Sequence, residues 1–385
     1  MRAPALVSSN RVVELPAVRP AAERQLALDW LRGVVMVLMT VDHASGEFNA
    51  GRLFTDSTIF YKPGMPLPLD QFLVRWMTHL CAPTFVFLAG FVLLGSEERR
   101  RRQGAPEWEI TRFIVTRGLF IAAMDPIWMR IVFPTPGGTW ILQVLYAIGV
   151  GLVALAFLRH IPARWLGLLG LAIVLGIEPL AGVAVQATGV AGALAKLLVI
   201  PGPVGPFFVG YPLLPWLGIM LMGWGAADLA HRAPERFRGR LLVAAAIGLV
   251  VFVVVRGLNG WGNLGLLRED GSLVQWLHTS KYPPAVSYQS LELAISWLLL
   301  AAFMTWRPAP VVDAVLRPLG QSALFFYLLH AHLLWLMGKA LGMAGKAGLG
   351  MTFLSAALVI AVLVPVCNAY RRYKLEHPAS LAQYV

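Results

Sequence analysis

Long apolar runs follow one another along the chain, at about 26–44, 72–94, 113–133, 141–158, 165–185, 211–229, 241–258, 288–306, 321–338 and 352–369. Each approaches or reaches the ~20 residues that a helix needs to cross a bilayer core. Lipid offers no partner to an unpaired backbone amide, so an open set of spans has to be helical. A further apolar stretch, Ala191 to Val199, is too short to cross and is expected at the interface. The pattern predicts an all-α, polytopic membrane helix bundle of about ten spans. Neither an internal repeat nor a low-complexity tract is visible.

Composition agrees with a bilayer setting. Of 385 residues 58% are hydrophobic and only 14% charged, against roughly 25% charged in soluble proteins. Twenty of the 32 Lys and Arg residues fall in the connections on one side of the expected spans, seven on the other and five within them. Positive charge stays in the cytoplasm, which puts both termini inside. The net charge of +12 is therefore a topology signal with an attraction to anionic headgroups, and it does not argue for nucleic acid. Residues 1–25 lack an apolar core and a cleavage site, so they read as a flexible cytoplasmic tail rather than a signal peptide. The two cysteines, Cys81 and Cys367, sit in apolar runs and give neither a disulfide framework nor a zinc site.

The first run carries four titratable side chains, Asp29, Arg32, Asp42 and His43. Eleven residues separate Arg32 from His43, and eleven steps of about 100° return to within about 20° of the start. Asp29 lies near the same stripe. The rise from Arg32 to His43 is about 16 Å, half the hydrocarbon thickness. One helix face thus carries a cation in its inner half and an imidazole in its outer half. Ionisable groups in a span are costly unless paired or facing water, so they mark function by default. The alternative for Asp29 and Arg32 is a structural i,i+3 pair with a snorkelling arginine.

Other spans add to this polar interior. Arg75 and His79 are spaced i,i+4 and point the same way. Asp125, Arg130, Glu178, Arg256 and Glu292 lie in or beside later runs. In "FFYLLHAHLLW" His330 and His332 are about 200° apart, so at most one shares the core with Tyr327. A secondary transporter of a small sugar-like solute would be expected to show repeated halves, and a channel rings of like side chains; neither is seen. The transporter or binding protein stays as the alternative to a membrane enzyme using histidine as general base. No nucleotide, zincin or hydrolase signature is present.

Six stretches in order carry a resemblance to a known family: "LDWLRGVVMVLMTVDHA", "LVRWMTHLCAPTFVFLAG", "LQVLYAIGVG", "YPLLPWLGIMLMGWGAA", "SKYPPAVSY" and "GQSALFFYLLHAHLL". From about Ala27 to Ala340 the chain resembles the heparan-α-glucosaminide N-acetyltransferase-like transmembrane acyltransferases. The Arg32-x10-His43 spacing is similar to that of the related acyltransferase-3 family. The resemblance implies an N- or O-acyltransferase of the bacterial inner membrane. It would move an acetyl or other acyl group from cytoplasmic acyl-CoA to an amine or hydroxyl of a sugar or glycan on the far side. Acetyl-CoA is then a co-substrate, no metal is needed, and a homo-oligomer is allowed. Residues 26–370 would form the acyltransferase domain, with 371–385 a second cytoplasmic tail.

Roles follow as expectations. The base is His43 or His79; His43 is favoured because it also meets the acyltransferase-3 spacing. Asp42 or Asp29 would orient it, and Arg75 or His79 would face the developing oxyanion. Arg32, held by Asp29, with Arg99 and Arg100 from "ERRRRQ", would take the donor phosphates. Lys281, Tyr282, Tyr327 and His330 are candidate acceptor contacts.

Overall fold

The computed structural model describes residues 20–133, 138–377 and 380–384. Among them α1 (Pro20–Phe48) runs six residues further toward the N-terminus than the apolar run, so residues 20–25 of the expected tail are helical. Residues 1–19 lie outside the described residues. Next come α2 (Leu69–Met77) and α3 (Cys81–Arg102), with a 3-10 turn between them, then α4 (Glu107–Ile127), α5 (Val144–Leu158), α6 (Ala163–Val185) and α7 (Gly189–Leu198). The second half holds α8 (Leu213–Arg232), α9 (Pro234–Leu258), α10 (Leu273–Leu277), α11 (Val286–Phe303), α12 (Pro310–Gln321), α13 (Ala323–Leu341) and α14 (Leu349–Glu376). The last helix continues through residues 371–376, where a tail was expected.

Seven helical stretches among the described residues are long and apolar enough to cross a membrane: α2 with α3, α6, α8, α9, α11, α13 and α14. The molecule is mostly helical. It is not purely so, because β1 (Trp140–Leu142), β2 (Gly202–Val204) and β3 (Phe207–Val209) form a small sheet in the order β1-β3-β2. β1 pairs parallel with β3, and β2 antiparallel. Three-residue strands in Gly- and Pro-rich loops leave no period to read.

Two departures from the apolar pattern shape the interior. The second run breaks at Thr78–Leu80. Pro83 brings no amide hydrogen to the carbonyl four residues back, and that carbonyl, of His79, accepts the Tyr288 hydroxyl at 2.9 Å. The stretch before the ninth run, expected as a connection, is the helix α12. It lies against α1 with no side chain between: a Cβ on Gly33 would come within 2.2 Å of the Leu316 carbonyl oxygen, and one on Gly320 within 1.8 Å of that of Asp29. Small residues let helices touch backbone to backbone in this way. Trp30 Nε1 donates to Asp313 Oδ1 at 2.7 Å and fixes the register.

Candidate functional site

α1 is the axis of the site, and its polar stripe faces two cavities. The one beside its N-terminal half, about 310 Å³, is lined by Arg32, Arg99 of α3, Arg117 of α4 and Lys374 of α14. The described residues on its wall include no carboxylate. Arg32 is held from below, since its Nη1 donates to Asp29 Oδ1 at 3.0 Å and Gln321 Nε2 donates to Asp29 Oδ2 at 2.7 Å. Arg99 is on the wall, whereas Arg100 lies over the Phe113 ring at 3.5 Å.

The other cavity, about 400 Å³, adjoins the C-terminal half of α1 and is lined by Asp42, His43, Asp56, Arg75, Lys281 and Tyr282 among others. Here charges of both signs are tied together. Asp42 Oδ1 accepts from Arg75 Nη1 at 2.7 Å, Thr78 Oγ1 at 3.0 Å and Arg52 Nη2 at 3.1 Å. Arg75 also donates Nε to Asp56 Oδ2 at 2.7 Å and Nη2 to the same oxygen. His79 Nε2 stands 3.3 Å from Asp56 Oδ1. Burial alone would raise the Asp56 carboxyl, but Arg75 and His79 offset this and hold it well below the usual carboxylate range.

Two loops roof this cavity. Between them Lys281 N donates to the Asp56 carbonyl at 2.8 Å and Ser57 Oγ to the Tyr282 carbonyl at 2.6 Å. His278 Nε2 meets the Thr55 carbonyl at 2.8 Å. The Lys281 side chain is buried yet on the cavity wall. Its Nζ lies 5.4 Å from the Tyr282 ring centroid, and no carboxylate is within ion-pair distance among the described residues.

His43 is oriented by a histidine, not by a carboxylate. Its Nδ1 is 2.7 Å from His330 Nε2, and His330 Nδ1 is 3.0 Å from the Phe326 carbonyl oxygen. A carbonyl only accepts, so His330 carries its proton on Nδ1 and its Nε2 is an acceptor. His43 must then donate from Nδ1, which leaves Nε2 as the basic nitrogen of a ring on the cavity wall. The two rings are within 7° of parallel.

These chains of partners revise several expectations. Asp42 is committed to Arg75, Arg52 and Thr78, and Asp29 to Arg32 and Gln321, so neither orients His43. The Arg75 guanidinium, expected to face the oxyanion, is shared by two carboxylates, Asp42 and Asp56. His79 is off the cavity wall, behind Asp56. His330 is fully buried behind His43 and is not on the cavity wall, while Tyr327, Lys281 and Tyr282 do line the cavity. His332, on the opposite face of α13, packs on Trp128 with ring centroids 4.5 Å apart. Asp56, Arg52 and Arg117 escaped the sequence reading. Arg117 left a signal, a cation inside an apolar run; Asp56 left none, because nothing in its loop reports proximity to Arg75.

Residues 24–257 match the family of the heparan-alpha-glucosaminide N-acetyltransferase catalytic region. The chain belongs to this family. The match covers more than half of the chain and includes every residue named above from Asp29 to Arg117. Lys281, Tyr327, His330 and Lys374 lie C-terminal to it and join the site through the fold. No curated protein matches the chain. Membership makes the chain an N-acetyltransferase-type membrane enzyme.

Proposed function

We propose that the chain transfers an acyl group, acetyl foremost, from cytoplasmic acyl-CoA to an amine or hydroxyl of a sugar held in the outer cavity. The observation that carries this reading is the pairing of an all-cationic inner cavity with an outer one holding a base with a free nitrogen. In the matching topology α1, α4 and α5 join the seven apolar stretches to give ten spans with both termini inside. α1 and α4 have the length but more charge, and α5 has 15 residues.

Four cations on a wall whose described residues include no carboxylate fit the phosphates of a CoA donor. Acyl-CoA, when bound, supplies an activated thioester carbonyl and a thiolate leaving group. His43 Nε2 takes the proton from the acceptor N–H or O–H as that atom bonds to the carbonyl carbon. Lys281 Nζ faces the oxygen on which charge develops, and one such donor is worth about 10²–10³ in rate. His43 then returns the proton to the departing sulfur as the C–S bond breaks. His330 keeps the His43 tautomer competent throughout. Asp42, Asp56, Arg52, Arg75 and His79 brace the wall and the roof loop that carries Lys281.

The test is transfer from radiolabelled acetyl-CoA by the purified chain in detergent, with a panel of amino sugars and neutral sugars as acceptors. Labelled sugar is expected. A chain that binds and stabilises with free sugar but shows neither CoA binding nor labelled product is a transporter or solute-binding protein instead.

A further inference from the structure

The two cavities adjoin at three side chains. Phe85 of α3, Val144 of α5 and Tyr327 of α13 line both of them, so these side chains form the boundary, the partition between one and the other. Each is held in place. Val144 is the first residue of α5, and Asp125 Oδ2 pins that helix start by accepting the N–H groups of Gln143 and Tyr146 at 2.8 and 2.7 Å. Thr84, next to Phe85, shares a hydrogen bond of 2.5 Å with Ser296 of α11. The Tyr327 ring packs edge-on against both histidines, its centroid 6.1 Å from that of His43 and 5.7 Å from that of His330.

The cations are on one side of this partition and the base is on the other, about 16 Å apart along α1. A donor anchored by its phosphates has to pass its acyl end through the partition before His43 can act. We infer that Phe85, Val144 and Tyr327 form a collar which the acyl end threads, and that this collar restricts the donor to short acyl thioesters. The inference rests on the acyltransferase reading. The outer cavity does not impose the limit, because about 400 Å³ has room for several methylenes beyond an acetyl group. Two aromatic rings and a β-branched side chain, set on pinned backbones in a close-packed interior, yield little to a longer chain. Fit around one methylene alone discriminates by roughly 10–200-fold.

The experiment compares kcat/KM for acetyl-, butyryl- and hexanoyl-CoA with one acceptor, using the full chain in detergent. The wild type is expected to lose at least about tenfold from acetyl to hexanoyl. Phe85→Ala should raise the hexanoyl-to-acetyl ratio by about tenfold, and Val144→Ala should raise it by less. The ratio does not depend on how much protein is folded; where Phe85→Ala fails to fold, Phe85→Leu should move it in the same direction. Competition for labelled CoA is expected to show hexanoyl-CoA binding the wild type, as the phosphates are held on the inner side. A wild type that uses hexanoyl-CoA as well as acetyl-CoA overturns the collar, and so does a ratio unmoved in the variants while acetyl transfer continues. A wild type that transfers nothing to any acceptor, yet binds CoA, overturns the acyltransferase reading and the collar with it.

Discussion

The inner and outer cavities use charge in opposite ways. The inner wall gathers Arg32, Arg99, Arg117 and Lys374, and no carboxylate is among its described residues, so its net charge is positive even with Asp29 behind Arg32. The outer wall holds more ionisable groups, but Asp42, Asp56, Arg52 and Arg75 are spent on one another. His43 and Lys281 are among the wall residues that keep a functional atom outside this network. Binding a polyanion needs net charge, whereas proton transfer needs a few atoms at fixed positions and everything around them neutral and rigid. The same helix supplies both because its stripe passes from one cavity to the other.

If this division holds, substitutions in the two cavities should fail differently. The largest effect is expected from His43→Ala: acetyl transfer falls by about 10²–10⁴, while CoA affinity stays near wild type. Equal losses of both would merge the two cavities into one function.

Asp56→Ala comes next, through stability. It leaves the Arg75 cation with half its partners in a buried site, which costs about 3–5 kcal/mol, read as thermal unfolding in detergent. A pH series adds the sign. The depressed Asp56 carboxyl contributes stability that is complete above its ordinary value near 4 and is lost as pH falls below it. Acid should therefore destabilise the wild type, and Asp56→Asn should show a shallower loss between pH 5 and 3.

His330 offers a finer cut. His330→Phe removes the acceptor that fixes the His43 tautomer and should slow transfer by about 10–10²-fold. His330→Gln restores an acceptor, the side-chain carbonyl, and should recover most of that loss. A role in packing alone predicts the reverse order, because the phenyl ring is the closer match in shape.

The smallest effect belongs to the inner wall. Arg117→Gln should weaken CoA binding by about tenfold and flatten its dependence on salt, with little change in kcat once the donor saturates. A kcat loss as large as that of His43→Ala would place Arg117 in the chemistry and blur the contrast.

How much of this is legible in the sequence depends on whether a feature is local. The long apolar helices and the Arg32–His43 stripe are periodic, and a 3.6-residue repeat carries their geometry. α12 is hidden in the sequence because its Pro310 and Pro318 read as punctuation and its polar face as a loop; its helix is sustained by contact with Gly33 and Trp30, nearly 300 residues away. For His43 the sequence offers Asp42, its neighbour, and Asp29 on the same stripe as partners. The partner in the fold is His330, 287 positions along the chain, which no spacing rule reaches. Lys281 and Asp56 meet through loop backbones, which carry no pattern at all.

The collar has a consequence for the bilayer as an insulator. Each elementary charge that crosses a membrane held at 100 mV gains or loses about 2.3 kcal/mol, and a continuous column of water between the cavities would let ions collect that energy freely. Constrictions of apolar side chains expel water and block ions without any moving part. If acyl transfer runs past Phe85, Val144 and Tyr327, which line both cavities, the collar would let two carbons cross while the electrical resistance of the membrane is preserved.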